Sequence, residues 1–492
     1  MVIRQSFFVA VCIMLCYNHA RCKCNILNNP IGGFMKIKSN IKGFFVRITA
    51  SNSDVTGTSN IVEVYIPGKE VEIYLVDCGE FREPEYKKYN GDFLFNPRKV
   101  RYLLLTHYHV DHYGLIPVLY EQGYYGKILS SEKTIERFKE RAMLNYFADK
   151  RKRMIDGQEM PYQENTIIDM LKKAEAINYN EGYSLSEHVS IIALPSNHIP
   201  GATMFLFIVE YGESYIYLLF TGDYKKGEFP EGLAPYKDKQ INIVTEGTYG
   251  ALEKPEPQFF DLMKKCFASN DFWITPIILS INEDRLWEIL DKIDEAKKCR
   301  IIPQDTIIFI ECRKRHYFQL VESISDPHIY CVSSLSQKIQ SIFDNRKKII
   351  ITTSSGGADY YLQEFISNEN SFIINTSYFQ KQSKRLKIFK ASRGEIVLFA
   401  NRNYVKRARM ADIRDFDDHG FAPEILSFLT NFSQINAIFI GHGGKYAKRD
   451  LVHYLTQEDN RLRNKVFILR RSDTYQIGAD SVKRYISKKR KT

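Results

Sequence analysis

Behind Thr106 the chain reads His107-Tyr108-His109-Val110-Asp111-His112, three imidazoles and a carboxylate in the pattern H-x-H-x-D-H. Imidazole nitrogen and carboxylate oxygen suit zinc at a catalytic site, where one coordination position stays open for water. In an extended loop His107 and His109 point to one side, while Asp111 and His112 lie past the turn and face a second point nearby. The spacing therefore accommodates two adjacent metal ions. A histidine-rich surface loop is the competing reading. It explains a lone histidine better than four ligand-type residues placed directly behind an apolar run.

That run, Val100 to Leu105, reads as the strand that delivers the cluster, and residues 112–122 carry helical apolar spacing, so the cluster sits on a strand-to-helix loop. The arrangement recurs along the chain. Residues 72–76 read as a strand ending in Asp77-Cys78-Gly79, where Asp77 is either a turn former or, given its place before the histidine cluster, a residue that orients a ligand from behind. Residues 189–194 lead to Pro195-Ser196-Asn197-His198, and strands over 204–210 and 215–220 lead to Thr221-Gly222-Asp223. Residues 241–244 present Thr245-Glu246-Gly247, Asp417-Asp418-His419-Gly420 precedes a helix over 423–432, and a strand over 437–440 ends in Gly441-His442-Gly443-Gly444. Strand after strand ends in a residue of ligand or acid–base type, which is how a sheet gathers a site along one edge.

Other stretches supply the frame. Residues 43–64 alternate as a hairpin or meander, and 131–178 are helix-rich and charged. From 253 to 397, helices such as 284–296 alternate with buried strands at 306–310, 348–352 and 371–374, the pattern of an α/β unit with a largely parallel sheet. Ser354-Ser355-Gly356-Gly357, after one of these strands, reads as an ordinary turn or as backbone amides for a phosphate. A loosely ordered basic tail is expected beyond Gln476.

The 492 residues carry 69 Lys+Arg against 58 Asp+Glu, a net charge of +11. The excess gathers in runs at 150–153, 313–315, 346–348 and 488–491. Such runs are solvated faces or, together, an electrostatic footprint for a polyanion. Four of the nine cysteines fall in the first 24 residues and the rest are scattered, which points to a reducing compartment, the cytoplasm. An apolar run from Phe7 to Tyr17 imitates a signal peptide and leaves secretion or organelle targeting open, yet it is too short to span a bilayer. No integral membrane role is expected. Met35 opens a conventional globular sequence, so residues 1–34 read as a leader or extension outside the site.

Together these motifs resemble the metallo-β-lactamase superfamily and, within it, the β-CASP branch of nucleic-acid-processing hydrolases, which includes ribonuclease J-like enzymes and the cleavage-and-polyadenylation endonuclease. Asp77 matches the first family motif, His107-x-His109-x-Asp111-His112 the second, His198 the third and Asp223 the fourth. Glu246 resembles motif A of the branch, His419 motif B and His442 motif C, so six of the eleven histidines fall on motif positions. The resemblance implies an αββα sandwich with an inserted α/β β-CASP domain: a leader or extension at 1–34, the sandwich at 35–252 and again at 406–476, the insert at 253–405, and a basic tail at 477–492.

It further implies two zinc ions, or manganese. His107, His109 and His198 would hold one, Asp111, His112 and His442 the other, with Asp223 bridging. Asp111, Asp77, His419 and Glu246 would act in catalysis, His419 assisting the leaving oxygen and Glu246 orienting it. The implied activity is hydrolysis of single-stranded RNA by an activated hydroxide, in RNA processing or decay, by a homodimer or a subunit of a processing complex. Histidine at motif C favours RNA, because DNA-acting members carry an aliphatic residue there.

The chain departs from the family pattern in its insert. Thr275-Pro276-Ile277-Ile278-Leu279-Ser280 is followed by Asn282-Glu283-Asp284-Arg285 without the usual glycine before arginine. Lys381-Gln382-Ser383-Lys384-Arg385 replaces a glycine-rich segment, and Asp417-Asp418 stand where small residues are common. Two other readings compete: a hydrolase of a small ester, thioester or lactone, or of DNA, and a weakly active RNA-binding relative. The large α/β segment counts against the small-substrate reading, and the retained ligand set against the inactive one.

Overall fold

The computed structural model describes residues 43–268, 273–280, 285–312, 326–377, 383–479 and 481–485. The leader at 1–34, the basic runs at 313–315 and 488–491, Asn282 to Asp284 and residues 378–382 lie outside the described residues.

Two mixed sheets face each other. In spatial order the first consists of Val482–Tyr485, Thr474–Ile477, Phe45–Asn52, Ser59–Tyr65, Glu72–Val76, Val100–Leu104, Lys127–Ser130 and Ala174–Ala176. The second runs Val466–Ile468, Gln434–Ile440, Gln240–Thr245, Ser214–Phe220, Thr203–Tyr211, Val189–Pro195 and Gly182–Ser184. Their inner faces interdigitate through Val46, Ile48, Val62, Tyr74 and Leu104 on one side and Phe205, Phe207, Leu218, Phe220 and Phe439 on the other. Helices cover the outer faces. Leu119, Phe138 and Ile167 pack on the first sheet, and Ile425, Phe428, Leu451 and Leu455 on the second. The result is the expected αββα layering.

A third sheet is wholly parallel, in the order Ile329–Val332, Ile307–Glu311, Lys348–Thr352, Thr275–Leu279, Ser371–Asn375 and Arg409–Asp412. Both faces are buried, by Leu286, Ile289 and Ile293 on one side and Tyr361, Leu362 and Phe365 on the other. This explains why its strands read as continuous apolar runs rather than alternating ones.

Several expectations shift. The helix expected over 112–122 is two short pieces, Val110–Tyr113 and Ile116–Glu121, because the chain turns at Gly114-Leu115. Arg409–Asp412 pairs with Ser371–Asn375, so the third sheet reaches past the boundary expected at 405. The chain beyond Gln476 is not uniformly loose: Thr474–Ile477 pairs with Phe45–Asn52 and is itself joined by Val482–Tyr485, since Tyr475 and Ile477 point into the core. Ser354-Ser355-Gly356-Gly357 starts the helix Ser355–Phe365, with Ser354 Oγ accepting from Gly357 N–H at 3.0 Å. The carboxylate of Glu311 accepts from Ser354 Oγ at 2.9 Å and lies against Gly357, where an added Cβ would be 2.3 Å from Oε2. Among the described residues no helix is long and apolar enough to cross a membrane.

Candidate metal centre

Parallel pairing aligns the ends of the strands that carry the motif residues. Glu72–Val76 pairs in parallel with Val100–Leu104, which brings Asp77 beside the 106–112 loop. Ser214–Phe220, Gln240–Thr245 and Gln434–Ile440 are parallel neighbours, which brings Asp223, Glu246 and His442 to one edge of the second sheet. Two glycines make the close approach possible. A Cβ on Gly79 would lie 1.6 Å from the Asp111 carbonyl oxygen, and one on Gly222, at φ 58°, would lie 2.8 Å from Thr106 Cβ.

Every motif residue arrives at this edge. His107, His109, His198 and Asp223 each offer one ligand atom within 4.8 Å of the others, as do Asp111, His112 and His442, and Asp223 also groups with Glu246 and His419. Asp223 is the hub: its Oδ2 lies 3.7 Å from His107 Nε2, 3.7 Å from His198 Nε2 and 3.8 Å from His442 Nε2, and its Oδ1 lies 3.4 Å from His112 Nε2.

The opposite ring nitrogens are held from behind. His112 Nδ1 meets Asp77 Oδ2 at 2.8 Å, His198 Nδ1 donates to the Asp418 carbonyl at 2.8 Å, His442 Nδ1 meets Thr58 Oγ1 at 2.7 Å and His107 Nδ1 meets Thr106 Oγ1 at 3.1 Å. Such partners fix ring orientation and tautomer so that Nε2 faces the centre. Asp77 does this from a left-handed backbone, φ 62°, while its oxygens also accept from Thr106 N–H at 2.7 Å and Thr106 Oγ1 at 2.8 Å. It thus sits behind His112 rather than in either ligand group. Thr58, Thr106 and the Asp418 carbonyl were not singled out from the sequence. Thr106 had a signal, its place between strand and cluster, whereas Thr58 had none.

The donor set fits a metal. His112 Nε2 and Asp223 Oδ1 are buried and make no hydrogen bond, and a cavity of about 20 Å³ lies among His112, Asp223, Glu246 and His442. Burial of that kind is costly unless an ion or water completes the pairing. Burial lowers His109 and His198 to about 4 and lowers His107 as well, so all three are neutral and ready to ligate at pH 7. His112 goes the other way. Burial opposes its charge, but Asp223 and Asp77 on either side outweigh burial and raise it.

His419 differs in partner and exposure. Its Nδ1 meets Glu246 Oε2 at 2.8 Å, and Glu246 Oε1 accepts from Tyr224 N–H at 2.6 Å, so the carboxylate is pinned at both oxygens. Burial disfavours the imidazolium, yet Glu246, with Asp223 and Asp418, raises His419 to about 9.

Residues 57–225 match the metallo-β-lactamase superfamily model. Over 201 residues the chain is 28% identical to a Thermus thermophilus protein named Ribonuclease TTHA0252, covering 40% of this chain and 42% of that one. It is 27% identical over 259 residues to the Arabidopsis thaliana cleavage and polyadenylation specificity factor subunit 3-II, covering 49% of this chain and 40% of the relative. An alignment with RNase aCSPSF2 of Saccharolobus solfataricus is 21% identical over 394 residues and covers 74% of this chain and 73% of that one. The chain spans about two fifths of the length of the first two relatives.

Proposed function

We propose, from the match of residues 57–225 to the metallo-β-lactamase superfamily model, that this chain is a metal-dependent ribonuclease of the β-CASP type, hydrolysing phosphodiester bonds of single-stranded RNA in RNA processing or decay. In this reading His107, His109 and His198 would hold one zinc, Asp111, His112 and His442 would hold a second, and Asp223 would serve both, with manganese as an alternative metal. The chemistry such a pair supplies is a nucleophilic oxygen at neutral pH and neutralisation of the charge that builds on phosphate.

The chain's own contribution is acid–base and positional. Glu246 takes one nitrogen of His419 and leaves Nε2 to hand a proton to the departing ribose oxygen. In the metal-free chain Glu246, with Asp223 and Asp418, raises His419 against burial to about 9, the direction that suits a proton donor. Asp77 keeps His112 turned inward, and the Asp418 carbonyl does the same for His198. The observation that carries the reading is the Glu246–His419 pair, 2.8 Å apart, beside Asp223, which groups with His107, His109 and His198 and lies 3.4 Å from His112 Nε2 and 3.8 Å from His442 Nε2. A general acid next to a two-metal site is what breaking an ester with a poor leaving group requires.

Similarity to relatives named as ribonucleases and His442 at the motif C position support RNA as the substrate. The proposal includes the insert at 253–405 facing the substrate, and work in the cytoplasm as a homodimer or a subunit of a processing complex. The test is a gel of end-labelled single-stranded RNA and DNA incubated with zinc- or manganese-loaded wild type, His419→Ala and His442→Ala. RNA fragments from wild type, reduced about 10²- to 10⁴-fold by His419→Ala, are expected. Intact RNA, or DNA cut equally well, defeats the assignment.

A further inference from the structure

Next to the metal centre, on the His442 side, lies an open cavity of about 440 Å³ whose lining includes Phe81, Tyr86, Tyr89, Lys445, Arg470 and Arg471. Its wall and the metal centre are built from the same loop. Thr58 holds His442 Nδ1, and the Asp54 carbonyl, in the cavity wall, accepts from Gly443 N–H at 2.9 Å. Lys448 ties the wall together from inside, donating to the carbonyls of Ser53 at 2.9 Å and Leu469 at 3.1 Å.

The lining combines two kinds of group. Phe81 packs against Tyr86 at 5.4 Å and Tyr89 at 6.3 Å between ring centroids. The Arg471 guanidinium carbon lies over Tyr89, 4.2 Å from its centroid, with Arg471 anchored by Asp92 at 2.9 Å, and the partly exposed Tyr86 lines the same cavity. Lys445 and Arg470 are exposed and make no ion pair among the described residues. Of the acids, Asp54 lines the cavity; its Oδ1 accepts from Val55 N–H at 3.0 Å and its charge raises the Tyr86 phenol above its ordinary value. Cations therefore prevail. Flat rings and a guanidinium plane take a base, and ammonium and guanidinium groups take its phosphate, at a volume suited to one nucleotide.

The geometry points to this cavity as a nucleotide subsite, holding a base and phosphate of the single-stranded RNA that flanks the phosphate at the metal centre. This rests on RNA being the substrate. The experiment measures binding apart from cleavage: fluorescence anisotropy of a short labelled single-stranded RNA titrated with the full chain in chelator, for wild type, Tyr86→Ala, Arg470→Ala and Lys445→Ala. Tyr86→Ala weakens binding about tenfold through lost stacking, and Arg470→Ala or Lys445→Ala lowers the slope of log affinity against log salt by about 0.7 each. Affinities within twofold of wild type and unchanged slopes in all three variants overturn the subsite. Adding metal to the wild-type complex then reports cleavage separately, so RNA that binds through the cavity and stays intact counts against the ribonuclease reading alone.

Discussion

Arg285 donates to Asp418 Oδ2 from both Nε, at 2.9 Å, and Nη2, at 2.7 Å. Asp418 is the residue whose carbonyl holds His198 Nδ1, and Arg285 also donates to the Thr376 carbonyl at the end of a third-sheet strand. The guanidinium thus joins the parallel sheet to the metal centre through one buried contact. Arg285 is the arginine that lacks the usual preceding glycine, and Asp418 stands where small residues are common, so two departures from the family pattern meet each other.

Arg285→Ala leaves a buried carboxylate without its partner, a loss worth about 3–5 kcal/mol, read by urea denaturation. Because His198 loses a fixed orientation, affinity at one metal site falls about 10- to 100-fold in competition with a chromogenic chelator. Arg285→Lys restores charge but not the two-pronged contact, and recovers stability more than metal affinity. Wild-type metal affinity in Arg285→Ala would show that the link is structural only.

The same pair sets an acid limit. Burial pushes Asp418 up, and Arg285 overrides it to hold the carboxyl at about 2. A depressed carboxylate contributes stability that is full above the unfolded value of about 3.9 and is lost as pH falls through the folded value. The stability gap between wild type and Asp418→Asn is therefore constant near neutrality and shrinks from about pH 4 to about pH 2. Denaturation of metal-free protein over that range measures it, and a gap independent of pH contradicts the assignment.

Asp77 offers a comparison on the other side of the site. Asp77→Asn keeps the shape and, through its remaining oxygen, can still accept from Thr106 N–H, but it removes the charge and the second acceptor oxygen that faces Thr106 Oγ1 and His112 Nδ1. The expectation is about a 10- to 100-fold loss of affinity at the site formed with Asp111 and His442, with the other site spared. Equal weakening of both sites in a two-site metal titration would mean that Asp77 acts on the fold as a whole.

Much of this was legible in the sequence for a physical reason: His107, His109, Asp111 and His112 are local, and His198, Asp223 and His442 each follow a recognisable apolar strand. The αββα layering was expected from the family resemblance that these motifs carry in their order, and alternation by itself gave only the hairpin or meander over 43–64. What the sequence hid was assembled across distance or from weakly patterned segments. Arg285 and Asp418 are 133 residues apart and are single charges among many. The cavity beside His442 draws on residues near 54, 81–89 and 445–472, none of them patterned. Arg409–Asp412 and Val482–Tyr485 have only four residues each and mostly polar faces, so they read as loop and tail.

Metal removal should act on stability as well as activity, because His112 Nε2 and Asp223 Oδ1 are buried without hydrogen-bond partners and the Glu246 carboxylate groups with the hub. A ligand that binds only the folded chain stabilises it by about 4 kcal/mol at a thousand times its dissociation constant. Thermal unfolding of zinc-loaded protein should therefore lie several degrees above that of the chelator-treated form. Asp223→Asn separates this effect from non-specific ion binding: removing the shared charge should abolish most of the zinc-dependent shift, whereas His419→Ala, outside both principal ligand groups, should retain it. An equal zinc shift in wild type and Asp223→Asn would place the stabilising ion elsewhere and remove Asp223 as the shared ligand.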